Sequence, residues 1–208
     1  MKVLVVSPHP DDEALGCGGA LVEHAKAGQE IRSIYLTSGE AGGHGADPST
    51  VRASREAEAH DAARLLGIST LDFWRLPDGG LRSSDVLARR LRELLIDWAP
   101  ESVYVPHGAE EHCDHRAASR LVRRAVRGLP PPRPAVWLFE VWTPLVRLDR
   151  IVDISEVIEA KLAAIRAYRS QCTILRFDEA FAGLARFRGE MHSWPGGPYA
   201  EVFQAMEA

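Results

Sequence analysis

This sequence has few cysteines, no long apolar run and no surplus of positive charge, and each shortage closes off a class of protein. Its three cysteines are odd in number and widely spaced, which excludes a disulfide framework and fits a reducing compartment. The apolar run near the N-terminus, Val3-Leu4-Val5-Val6, ends before Pro8 and is too short for a secretion signal. No segment could span a bilayer. The expectation is a soluble cytoplasmic protein with no membrane partner. Lys and Arg number 25 against 29 Asp and Glu, and the formal charge of −4 leaves no electrostatic footprint for nucleic acid. Basic residues such as Arg89, Arg90, Arg92, Arg120, Arg123 and Arg124 read as solvated helix faces. Neither an internal repeat nor a low-complexity tract occurs. Apolar content of 46% and charged content of 26% are ordinary globular values, so global disorder is excluded and 208 residues suggest one domain, 1–208.

What is present is an alternation of strand and helix signals. Val3 to Val6 reads as a strand buried on both faces. A helix over Glu13 to Ala27 follows, stopped by Gly28. Ile31 to Leu36, Leu71 to Trp74, Ser102 to Val105, Ala135 to Val141 and Arg150 to Ile154 are further strands. Helices are expected over Val51 to Leu66, over Asp85 to Trp98 with Ser84 as N-cap, over Arg116 to Arg127, and from Ser155 to about Tyr168. Thr37 to Pro48 is a glycine-rich loop, and Gly128 to Pro134 a proline-rich connection. From Gln171 onward the pattern is not readable. Strands and helices at this spacing predict an α/β fold: a Rossmann-like three-layer sandwich with a mostly parallel sheet, strand order 3-2-1-4-5 plus C-terminal additions. Strands one and four would then be neighbours where the winding reverses, the place where such sheets bind ligands.

Two clusters of metal-binding side chains sit after those two strands: Pro8-His9-Pro10-Asp11-Asp12-Glu13, and His112-Cys113-Asp114-His115. His9 and Asp12 are three apart at a strand-to-helix junction, so both can face one ion while Asp11 faces elsewhere. His112 and His115 have the same spacing. One of them can complete a two-His, one-carboxylate set, leaving the other for proton transfer. Catalytic zinc takes such a set and keeps a position for water, and a nearby carboxylate can accept that water's proton. A single Asp before a helix is more often a cap, and a single loop His is usually just polar. It is the pairing of the two clusters that points to a metal-dependent hydrolase.

The same residues resemble the PIG-L/LmbE-like deacetylases, zinc enzymes that remove N-acetyl groups from glucosaminyl compounds. The likeness extends to Leu15-Gly16-Cys17-Gly18-Gly19, Leu36-Thr37-Ser38-Gly39-Glu40, Arg52 through Glu56, Pro77-Asp78-Gly79-Gly80-Leu81, Tyr168-Arg169-Ser170-Gln171 and Tyr199-Ala200-Glu201-Val202-Phe203. The resemblance implies His9, Asp12 and His115 as ligands of one Zn2+ per chain. It further implies Asp11 as general base, His112 as general acid or oxyanion stabiliser, and Asp114 as a partner tuning a neighbouring imidazole. Arg52 and Asp78 would contact sugar hydroxyls or an attached polar group; without the resemblance, Arg52 reads as an ion pair with Glu56 and Asp78 as a turn residue. The implied substrate is a small N-acetylated amino-sugar conjugate, and the implied assembly a homo-oligomer such as a hexamer.

Two rivals deserve mention. A dinucleotide-binding module is echoed by Gly16-x-Gly18-Gly19, but the six-residue cluster intervenes and the third glycine is misplaced, so helix packing suffices for those glycines. A phosphoesterase often needs two metals, and ligands are present for one good site. Among remaining residues, Cys113 reads as a bystander and Cys17 as packed. His44 and His107 read as solvated loop residues in preference to the pocket mouth, Trp137 and Trp142 as core or interface, and Trp194 as a lid or loop anchor.

Overall fold

The first strand shows how the sequence becomes layers. Val3, Leu4, Val5 and Val6 of β1 (Lys2–Ser7) are all fully buried, because successive side chains leave opposite faces of a strand and both faces are covered. Val3 and Val5 join one hydrophobic cluster, Leu4 and Val6 the other. The computed structural model describes residues 1–43, 45–193 and 195–207. After β1 come α1 (Asp12–Lys26), β2 (Glu30–Tyr35), α2 (Pro48–Leu66), β3 (Thr70–Phe73), α3 (Asp85–Trp98), β4 (Ser102–Pro106), α4 (Cys113–Arg127) and β5 (Ala135–Phe139). The chain continues through β6 (Arg150–Asp153), α5 (Ile158–Ala167), α6 (Arg169–Cys172), α7 (Phe177–His192) and β7 (Ala200–Ala205).

The strands form one sheet in the order β3-β2-β1-β4-β5-β7-β6. The first five run parallel, and β7 is antiparallel to both neighbours. This is the mixed α/β three-layer fold expected, with the C-terminal additions resolved as β7 and β6. Helices α1, α2, α5 and α7 cover the Val3/Val5 face, and α3 and α4 the Leu4/Val6 face. Ser84 caps α3 as expected, accepting from the Leu87 amide at 3.2 Å. The glycine-rich segment after β2 closes a 3-10 turn at Glu40–Gly43, and the stretch from Ser155 begins with another, Ser155–Val157.

Crowding explains the glycines of α1. A Cβ on Gly16 would stand 2.0 Å from Phe139, and one on Gly19 2.6 Å from Ile154, so no phosphate cradle need be invoked. Helix α1 also breaks at Cys17 (φ −144°, ψ 15°), which frees backbone groups inside the fold. Glu201 of β7 accepts from the Gly19 and Ala20 amides, both at 2.8 Å. Lys161 of α5 bonds the Leu15 carbonyl at 2.7 Å and Glu201 at 2.5 Å. Both charged side chains are almost fully buried, and each satisfies a group that the kink exposes.

Removing one partner of a buried pair leaves an uncompensated charge. Lys161→Met should therefore cost about 3–5 kcal/mol in denaturant unfolding, with much of the loss recovered by adding Glu201→Gln. A full-strength single variant would show that the pair does not secure the kink.

Candidate metal centre

Strands β1 and β4 lie side by side, with Val3 opposite Ser102 and Val5 opposite Tyr104. The two residue clusters leave the sheet at adjacent points and converge. His9 is the meeting point: its Nε2 lies 2.9 Å from Asp78 and 3.4 Å from Asp114, and its Nδ1 lies 3.3 Å from Asp12. The other oxygen of Asp12 is 3.2 Å from His115 Nε2. The rings of His112 and His115 stand 4.9 and 5.4 Å from that of His9, centroid to centroid.

Electrostatics follow from this packing. Burial disfavours a charged imidazole, yet hydrogen bonds to Asp114, Asp12 and Asp78 outweigh it and raise the His9 pKa well above the ordinary range. Burial would raise Asp12, but His115 and His9 pull it down to about 2. Burial, with the His9 and His112 rings adding to it, lowers His115 to about 4 in spite of Asp12. His115 is thus a neutral imidazole, the form that ligates metals. Both its nitrogens are buried without a hydrogen-bond partner among the described residues, since the approach to Asp12 does not make a hydrogen bond. Such orphaned atoms are costly, and a cation held with Asp12 and His9 would satisfy Nε2, the one beside Asp12. Donor atoms of His9, His112 and His115 lie within 4.8 Å of one another, as do those of His9, Asp78 and Asp114. The cluster could hold a metal ion.

Asp11 stands at the N-cap position of α1, its carbonyl accepting from the Leu15 amide at 2.9 Å. Its side chain makes no cap hydrogen bond, and its backbone lies at φ 131°, where a non-glycine residue is strained by roughly 1–3 kcal/mol. Arg55 of α2 grips it, donating to its carboxylate at 2.9 Å and to the Pro10 carbonyl at 2.6 Å. Burial pushes the Asp11 carboxyl up to about 7, against the pull of Arg55. Glu13 is also raised to about 7 by burial; it bonds the Tyr168 hydroxyl and accepts from the Asp11 amide at 3.3 Å.

His112 caps α4, its Nδ1 accepting from the Asp114 amide at 3.2 Å. Its proton in the neutral ring is therefore on Nε2. Asp114 is fully buried and receives the Gly79 amide at 2.8 Å and the Leu81 amide at 3.0 Å. Asp78 accepts from the Ala41 amide at 2.8 Å. The Pro77–Leu81 turn is thereby fastened to the centre.

A cleft of about 510 Å³ opens over the cluster, within the range for small-molecule sites. It is lined by His9, Asp11, Asp12, Asp78, His112 and Arg55, together with the apolar side chains of Trp142, Ile174, Leu175 and Phe177. Six of the eight sequence-predicted residues (His9, Asp11, Asp12, His112, Asp114 and His115) are brought together, with Asp78 beside His9. Arg52 stands apart: it pairs with Glu40 at 3.8 Å in place of Glu56, which bonds Arg75 and Ser38. Sequence reasoning overlooked Arg55, although the signal existed. It shares the buried stripe of α2 with Val51, Ala59, Ala62 and Leu66, where a charge demands a partner. It also overlooked Trp142 as a cleft residue; half-exposed, it meets Phe177 edge-on at 5.9 Å. His107 is neither solvated nor at the mouth: it is buried, with Nε2 2.7 Å from the Thr143 carbonyl. Cys17 is packed and Cys113 exposed. His44 and Trp194 lie outside the described residues.

Residues 4–126 match the model of the PIG-L family, described as GlcNAc-PI de-N-acetylase. The chain belongs to the PIG-L family. Among relatives, it is 33% identical over 184 residues to a probable N-acetyl-α-D-glucosaminyl L-malate deacetylase 2 of Bacillus cereus, covering 81% of this chain and 83% of that one. The solved N,N'-diacetylchitobiose deacetylase of Pyrococcus horikoshii superposes with TM-score 0.87 at 28% identity, over 99% of this chain and 83% of that one. GalB, the 4-carboxy-2-hydroxymuconate hydratase of Pseudomonas putida, superposes with TM-score 0.86 at 27% identity, over 100% and 96%. PIG-L membership thus brings deacetylase relatives, and the shared fold also carries a different water-adding reaction.

Asp114→Ala should free the 77–81 turn, because two charge-assisted hydrogen bonds of about 1.5–3 kcal/mol each are lost. Hydrogen exchange at the Gly79 and Leu81 amides would rise sharply; unchanged protection there would mean that the turn is held by other contacts.

Proposed function

We propose that this chain is a zinc-dependent N-deacetylase acting on a small N-acetylated amino-sugar conjugate. The reading rests on one arrangement: a buried His9–Asp12–His115 set beside an acid–base carboxylate, Asp11, that Arg55 holds at the same strand ends. In it, His9, Asp12 and His115 hold one zinc ion. When bound, zinc polarises an amide carbonyl and lowers the pKa of a water to around 7.

The chain's own residues do the rest. Asp11 takes the proton of the attacking water, and its raised pKa suits a base working near neutrality. Arg55 fixes its orientation. His112 presents Nε2–H to the cleft, so even the neutral ring can donate to the developing oxyanion. The cap at Nδ1 supports that role over proton delivery to the amine, because a charged ring would lose the Asp114 amide. Asp114 aligns His9. Asp78 is placed to meet a sugar hydroxyl from the cleft wall. Arg52 connects to it through Glu40, which also accepts from the Asp78 amide at 3.4 Å. Asp11, now carrying the water's proton, passes it to the departing nitrogen as the C–N bond breaks, so that acetic acid and a neutral amine are released.

The deacetylase and chitobiose relatives favour this reaction over hydration, which shares only the need for an activated water. The three unbridged cysteines fit a cytoplasmic setting, and no described helix is long and apolar enough to cross a membrane.

Metal analysis should give about one zinc per chain, and His115→Ala should lose most of it; full retention would remove His115 from the ligand set. Asp11→Asn should keep the metal and lower turnover by roughly two to four decades, measured as primary amine released from a panel of N-acetylated glycosides. If the zinc-loaded wild type releases no amine from any of them, the deacetylase reading fails.

A further inference from the structure

The Gly79 turn has a second neighbour. Besides the catalytic cleft it borders a groove of about 620 Å³, whose walls carry Arg82 and, from α4, Arg116, Arg120, Arg123, Arg124 and Arg127. The α4 arginines recur at three- and four-residue spacings, which keeps them on one side of the helix along about 16 Å. Among the described residues only Arg124 meets a carboxylate, that of Asp85. Arg116 and Arg123 donate to main-chain carbonyls of Glu110, Glu111 and Glu207, which fixes them without cancelling charge. Arg82, Arg120 and Arg127 are exposed and enter no ion pair among the described residues.

So dense a patch does not follow from composition, because the whole chain carries a formal charge of −4. Arg120 and Arg124 are exposed, the solvated helix face that the sequence suggested, and here they gather beside Arg82. The arginines line a shallow, open groove, where like charges repel one another and a bound anion relieves the repulsion. Among the described residues no aromatic ring lines the groove, so they offer nothing on which a base or sugar face could stack. What they do offer is guanidinium forks, the side-chain chemistry suited to phosphate and carboxylate.

We propose that this groove binds a small multivalent oxyanion, bearing two or more phosphate or carboxylate groups. The anion is either free or the charged end of a substrate whose acetamide lies in the catalytic cleft. The two sites would then meet at the turn that Asp114 and Asp78 fasten to His9. Anion binding stands apart from the deacetylase reading, since it is measured without turnover, while the substrate-borne source rests on that reading.

The test is titration calorimetry of the zinc-loaded protein with inorganic pyrophosphate, at low and at physiological ionic strength. The wild type should bind at both, more weakly with salt. R82Q/R120Q/R127Q should bind at least about tenfold more weakly with an undiminished melting temperature. Absent binding at physiological ionic strength, equal binding by the variant, or binding that disappears on zinc removal instead of arginine neutralisation would each overturn the proposal. Kinetics then separate the sources. A free anion changes turnover of a neutral N-acetylglucosaminide, an effect the triple variant loses. A substrate-borne group leaves that turnover alone, and the variant raises KM only for a phosphate-bearing substrate.

Discussion

Everything at the centre depends on three carboxylates meeting one imidazole. Asp12 comes from α1, Asp78 from the turn after β3 and Asp114 from α4, and all contact His9. Carboxylates at this separation repel unless positive charge stands among them. His9, held toward its charged form by those same groups, provides it without a metal; with the proposed zinc bound, His9 would be a neutral ligand and the ion would take its place. The three segments cannot separate without leaving buried charge uncompensated, so the requirement that makes a metal site also clamps the strand ends together.

Around that clamp the protein spends stability on orientation. The Asp11 backbone is strained, and the strain persists because Arg55 holds both its carboxylate and the preceding carbonyl. Glu13, directly after Asp12, turns away from the cleft to Tyr168. Three adjacent acidic residues thus face three different partners. The burial that raises Asp11 and Glu13 also keeps the local dielectric low, where each oriented dipole counts for more.

Much of this was legible in the amino-acid sequence because it is local. The continuous apolar run of β1, the caps and stops of the helices, and each of the two clusters at strand ends involve residues only a few positions apart. Parallel winding then brings the clusters together without further information. Arg55 was harder to see because its partner lies 44 residues away, and an arginine on a helix is ordinarily a surface residue. The C-terminal part was illegible for a related reason. Helix α7 carries a buried arginine, Arg188, whose charge is matched by Glu140, 48 residues distant. Gly189 there lets the Pro198 backbone pass within 2.1 Å of where a Cβ would be. Strand β7 pairs only with β5 and β6, through antiparallel contacts that no short window reveals.

The broken helix α1 has a bearing on the order in which the molecule can be completed. The acceptor for Gly19 and Ala20 is Glu201, some 182 residues further along the chain. Contacts of such separation close late in folding. A ribosome-bound chain can lay down the parallel strands and still leave two amides of its first helix unsatisfied until residue 201 has emerged. The helix bearing Asp12 is thus synthesised well before the residue that secures it.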